Sequence, residues 1–141
     1  MQGWKEPRDS DKYKWTAHVK QKMKHYGLSA QRVVRVIRKP LRIEEGIAET
    51  TVAVMQPQST RRGENGQKTW SSEIWVMYRM VNVSQEQKNV DKMDDKMRDF
   101  LSQIAQNDKR IMIISAWRYP GKTKEGESLP DEILEEIAEV L

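Results

Sequence analysis

The chain contains no cysteine. A disulfide scaffold, a thiol nucleophile and a cysteine zinc site are therefore excluded. Histidine occurs only as His18 and His25, so a zinc enzyme would need carboxylates to complete its ligand set. No apolar run approaches the roughly 20 residues that a helix needs to cross a bilayer. The opening MQGWKEPRDSDKYKW lacks an apolar signal core. Neither GxxxxGKS/T nor GxGxxG occurs, which removes two common phosphate-cradling loops. These absences lead to the expectation of a cytoplasmic, soluble protein with no metal, no cofactor and no membrane partner.

The 141 residues suffice for one domain and are too few for two comfortable ones. Charge is unevenly spread. Residues 1–42 carry seven Lys and five Arg against Glu6, Asp9 and Asp11, a net +9. The last eleven residues carry Asp131, Glu132, Glu135, Glu136 and Glu139 and no base. A basic front of this kind suits a polyanion, although a merely lopsided solvated surface has the same composition.

Residues 1–12 are polar and aperiodic and read as a flexible tail, with a single domain over 13–141. Trp15, Val19, Met23 and Tyr26 recur at helical spacing. Gly27 suits a helix C-terminus and Ser29 can cap a second helix. Val33, Val34, Ile37 and Leu41 make the buried stripe expected for that helix, which Pro40 ends. Strand signals follow at Thr50–Gln56 and Trp70–Val81, with an extra strand at Arg42–Glu45. Period two places Ile74, Val76, Tyr78 and Met80 on the core face, and Trp75, Met77 and Arg79 opposite. Val90 to Ile104 reads as a helix. Arg110–Trp117 is apolar on both faces, as in a central strand. Pro130 opens a last helix to Leu141. The order α-α-β-β-(α)-β-α implies an α+β domain with an N-terminal helical hairpin and a C-terminal helix.

His18, Lys22 and His25 share one face of the first helix. Seven residues rise about 10.5 Å, too far for the two His to hold one ion directly. His18 alone has the pKa range of a general acid or base, and equally that of an ordinary boundary histidine. Arg32, Arg35 and Arg38 recur every three residues and could hold phosphates or simply face solvent. Arg61 and Arg62 tip a glycine-containing loop. Arg118 and Tyr119 follow the last strand, where a site often opens. Arg79 is isolated among apolar strand residues, so it either pairs with a carboxylate such as Glu73 or Glu49 or faces a polar cleft. Trp75 could stack on a base, or pack in the core as strand tryptophans more commonly do.

The run Thr16-Ala17-His18, Lys22-Met23, Tyr26-Gly27-Leu28-Ser29, then Val36 and Pro40, resembles the opening of a bacterial domain-of-unknown-function family, number 4258, itself similar to the RelE-type toxin superfamily. The resemblance spans about Tyr13 to Pro120 and includes Ile114-Ser115-Ala116-Trp117-Arg118. Lys22 and Tyr26 stand where the family has arginines, and Lys39 where it has asparagine. The resemblance implies a RelE-like helical hairpin packed on one face of an antiparallel sheet, with residues 84–108 as a helical insertion. It also implies metal-independent attack of a ribose 2′-hydroxyl on the adjacent phosphate, with RNA, including RNA on the ribosome, as substrate and an antitoxin protein as partner. His18, Arg79, Arg118 and Tyr119 would then be catalytic and converge on one cleft. Lys22, Arg32, Arg35, Arg38, Arg61 and Arg62 would bind RNA. The alternatives are a binding module of the same fold without catalysis, and a protein whose basic face meets an acidic protein partner.

Overall fold

The computed structural model describes residues 3–45, 50–82 and 109–123. The helices expected within 84–108 and 130–141 lie outside these residues. Nine elements follow in order: β1 (Tyr13–Trp15), α1 (Ala17–Tyr26), α2 (Ala30–Arg38), β2 (Arg42–Glu45), β3 (Thr51–Pro57), β4 (Arg61–Arg62), β5 (Lys68–Thr69), β6 (Ser72–Asn82) and β7 (Lys109–Pro120). Five strands form one sheet in the order β1-β7-β6-β3-β2, and β4 with β5 forms a separate two-stranded ribbon. The content is α+β as expected. The sheet is mixed rather than purely antiparallel, because β1 runs parallel to β7.

That parallel pair corrects the reading of Trp15 as helical. Tyr13, Lys14 and Trp15 pair with Ile111, Met112 and Ile113. Tyr13 and Trp15 are buried on one side, the alternation of a strand. Helix spacing from Trp15 to Tyr26 arises because the strand residue at its head enters the same core. The preceding segment is also held, against the expectation of a flexible tail over residues 1–12. Trp4 Nε1 donates to Leu28 O at 2.9 Å, Trp15 N donates to Asp9 Oδ1 at 2.8 Å, and Pro7 is buried.

Caps delimit the helical hairpin as the sequence signals. Thr16 is extended, and its side chain accepts from Val19 N. Gly27 has φ +69° and closes α1 through its N–H to Lys24 O and Met23 O, a backbone conformation costly for a Cβ-bearing residue. Ser29 caps α2 by accepting from Arg32 N. Lys39 leaves the helix at φ −134° and ψ 61°, outside the helical region that a following proline disfavours. The buried stripe of α2 is Val33 and Val36, both fully buried. Val34 and Ile37 are only half-buried, and Leu41, 56% exposed, lies past the helix on the way into the edge strand β2.

The helices cover one face of the sheet. Val19, Met23, Leu28, Val33 and Val36 pack with Val54, Ile74, Val76, Ile113 and Ala116. Tyr78 joins this core half-buried, whereas Met80, 49% exposed, lies too near the strand end to be covered. The other face is buried as well: Ala53, Met55, Trp75, Met77 and Trp117 form a second cluster. Trp75 and Trp117 are register partners and stack at 6.1 Å with planes 5° apart, so Trp75 packs in the core. The register shifts between Met77 and Tyr78, which pair with Ser115 and Ile113, leaving Ile114 as an extra residue in β7.

Thr16 sits at this bulge. Its Oγ1 lies 3.1 and 3.0 Å from Ile113 O and Ile114 O. Thr16→Ala removes a cap and these contacts together, and should lower unfolding free energy by about 1–2 kcal/mol in urea titration. Thr16→Ser keeps the hydroxyl and should recover most of that loss.

Candidate nucleic-acid interface

Helix α2 carries Arg32, Arg35 and Arg38, followed by Lys39, with no acidic residue from Ala30 to Lys39. Arg35, Arg38 and Lys39 are exposed and paired with no carboxylate among the described residues. With Gln31 and Val34 they line a shallow depression of about 410 Å³. The three cations are held together by the helix because positions three and four apart share a face.

Arg32 has a different fate. Its Nη1 donates to Gln56 Oε1 at 2.7 Å, and its Nη2 donates to Pro57 O at 2.9 Å and Gln58 O at 3.3 Å. Burial, and secondarily Arg35, lowers its pKa, yet an arginine remains cationic at neutral pH. Arg32 is a clamp to the chain leaving β3, its guanidinium engaged by these carbonyls and the Gln56 amide oxygen. Gln56 completes the clamp by donating from Nε2 to Lys39 O at 2.7 Å and Arg35 O at 3.2 Å. Beyond Gln58 the chain forms the β4–β5 ribbon. Arg61, Arg62 and Lys68 are exposed on it, with Glu64 the one opposing charge. The clamp thus roots the ribbon beside the basic helix. Lys22, half-buried, lies on α1, which packs over β7 rather than over β3 and β6.

The four expected catalytic residues do not share one cleft. His18 Nε2 lies 3.1 Å from Ser115 Oγ, beside β7. Arg118 Nη1 donates to Tyr26 O at 2.8 Å, at the other end of α1. Eight residues of α1, about 12 Å, separate these two contacts, so His18 and Arg118 do not meet at one phosphate. Arg118 and Tyr119 are inside β7, not after it, so as consecutive strand residues they point to opposite faces. Tyr119 pairs with Glu73 and packs against the second cluster. Arg79 shares that face, but it pairs with Met112, six residues along β6 from Glu73. At about 3.3 Å per residue this separates Arg79 from Tyr119 by roughly 20 Å. Arg79 is paired with no carboxylate among the described residues; Nη2 lies 3.6 Å from Met112 Sδ.

The structure also contains a polar centre around Glu73, which the sequence suggested only as a partner for Arg79. Glu73 is fully buried on the second face. Trp70 Nε1 donates to its Oε2 at 2.8 Å, and Trp75 Nε1 to its Oε1 at 3.1 Å. Thr123 adds its hydroxyl at 2.7 Å. Arg42 in turn donates to Thr123 O and Oγ1, pairs with Glu44, and lies over the Trp75 ring at 5.3 Å. The available signal was Glu73 between two tryptophans in an apolar strand, since a buried carboxylate requires donors. Among the described residues, no three His, Cys, Asp or Glu are grouped as a metal site.

No family model, curated protein or solved structure matches the chain. Within the motif that carries the RelE-like resemblance, Thr16, Gly27 and Ser29 are the caps of the helical hairpin, so part of the motif has a folding role of its own.

Glu73→Ala leaves two indole N–H groups without their acceptor. It should lower unfolding free energy by on the order of 3 kcal/mol, read by urea denaturation with tryptophan fluorescence. Glu73→Gln retains an acceptor and should cost less.

Proposed function

We propose that this protein binds RNA through the basic face of α2 and the adjoining β4–β5 ribbon. The observation that carries the reading is the row Arg35, Arg38 and Lys39: exposed, fixed by a helix, and unpaired with carboxylates among the described residues. An isolated cation on a surface is ordinary, but an acid-free helix turned toward solvent attracts phosphate and releases its counterions. The RelE-like resemblance favours RNA over other polyanions. The antitoxin partner stays an implication of that resemblance, with no surface assigned to it.

Binding should be strongly salt-dependent. In fluorescence anisotropy with labelled RNA, the Arg35→Glu, Arg38→Glu double variant should bind more weakly and flatten the slope of log K against log salt by about 2. Its urea midpoint should fall only slightly, because both side chains are exposed although they complement the C-terminal end of α2. Wild-type binding that ignores salt, or is absent at low salt, would remove the reading.

A further inference from the structure

We infer that the RNA recognised at this face is base-paired rather than single-stranded, an inference that rests on the RNA-binding reading above. Proteins that hold unpaired strands combine a basic groove with aromatic rings on which bases stack, each stacked base contributing about 1–3 kcal/mol. No Trp or Tyr among the described residues is in the exposed class. The half-buried rings are already engaged. Trp4 is tied to Leu28 O, and Tyr26 meets the His25 ring edge-on at 4.8 Å. Trp70 is held by Glu73 and has Lys122 Nζ over its face at 4.2 Å. Tyr78 and Tyr119 pack against the two cores.

What the face does offer is two rigid sets of cations. Arg35 and Arg38 lie on α2 with Lys39 at its C-cap; on the ribbon Arg62 and Lys68 are register partners that share a face, and Arg61 points to the other. Arg32 and Gln56 fix the root of the ribbon to the helix, so the two sets cannot drift apart freely at that end. Two separated rows suit the two phosphate strands that border a groove. Between β4 and β5 the ribbon presents Asn65 and Gln67, both exposed. Amide side chains can donate to and accept from the 2′-hydroxyls displayed in the wide, shallow minor groove of A-form RNA. Duplex recognition by shape, phosphate and 2′-hydroxyl needs no stacking ring.

The test uses the full chain with two labelled probes, an RNA duplex of about 16 base pairs and one of its strands made unable to pair. At the same salt, the duplex should bind more tightly, because it presents one charge per about 1.7 Å of axis against about 3.4 Å for a single strand, and no stacked base offsets that difference. The duplex slope of log K against log salt should lie between about −3 and −4.5, at most about five phosphates being within reach of Arg35, Arg38, Lys39, Arg62 and Lys68. Arg62→Glu with Lys68→Glu should weaken duplex binding and flatten that slope by about 2, with the urea midpoint unchanged. Equal or tighter binding of the single strand would overturn the inference while leaving the RNA-binding reading intact. Failure of both probes to bind at low salt would instead overturn the RNA-binding reading itself.

Discussion

The contact on which the architecture turns is that of the Thr16 hydroxyl with the bulge in β7. An extra residue at Ile114 presents two successive carbonyls to the same side, and Thr16 Oγ1 lies within hydrogen-bond distance of both. The same oxygen accepts from Val19 N and starts α1. One side chain therefore joins the end of β1, the beginning of α1 and the irregular point of the longest strand. The bulge also reverses the facing of β7: Ile111 and Ile113 serve the helix-side core before it, and Ala116 and Arg118 do so after it. Without it, Trp117 would leave its stacking partner Trp75 and turn toward the helices.

From this junction the two faces of the sheet acquire different chemistry. The helix side is a conventional apolar core beneath Val19, Met23, Val33 and Val36. The opposite side combines stacked indoles with a buried carboxylate, Glu73, satisfied by two of the tryptophans and Thr123. Arg42 extends that network from the edge strand by bonding Thr123 and covering the Trp75 ring. This arrangement accounts for an unusual demand on tryptophan: the rings fill volume, and their N–H groups neutralise the cost of an enclosed acid. Rings used in this way are withdrawn from solvent, and among the described residues the basic face is left with charge but no stacking platform.

Arginines of α2 and β7 meet different fates, decided by what lies opposite each one. Arg32 meets carbonyls and becomes a clamp. Arg35 and Arg38, on the same helix, meet solvent. Arg118 is spent on the last carbonyl region of α1, where a cation also complements the negative end of the helix dipole. Spacing every three residues in the sequence identified the helix face but could not divide its members between clamp and ligand-facing roles, since that division depends on where Gln56 and Pro57 arrive from a distant strand.

Local signals determined the helical hairpin: Gly27, Ser29 and Pro40 act on their own neighbours, so their caps and stops are legible without any tertiary context. The two-residue period of β6 likewise set which residues oppose which. Tertiary structure decided that Trp15 is strand rather than helix, because its partner Ile113 is nearly a hundred residues away in sequence. It decided the mixed sheet, the bulge and the separation of Arg79 from Tyr119 for the same reason. Arg118 and Tyr119 look like a pair in sequence, yet the continuation of β7 to Pro120 turns them to opposite faces. Capping and periodicity act over one or two turns of chain, whereas a site is assembled by pairings between distant strands, whose register no local pattern records.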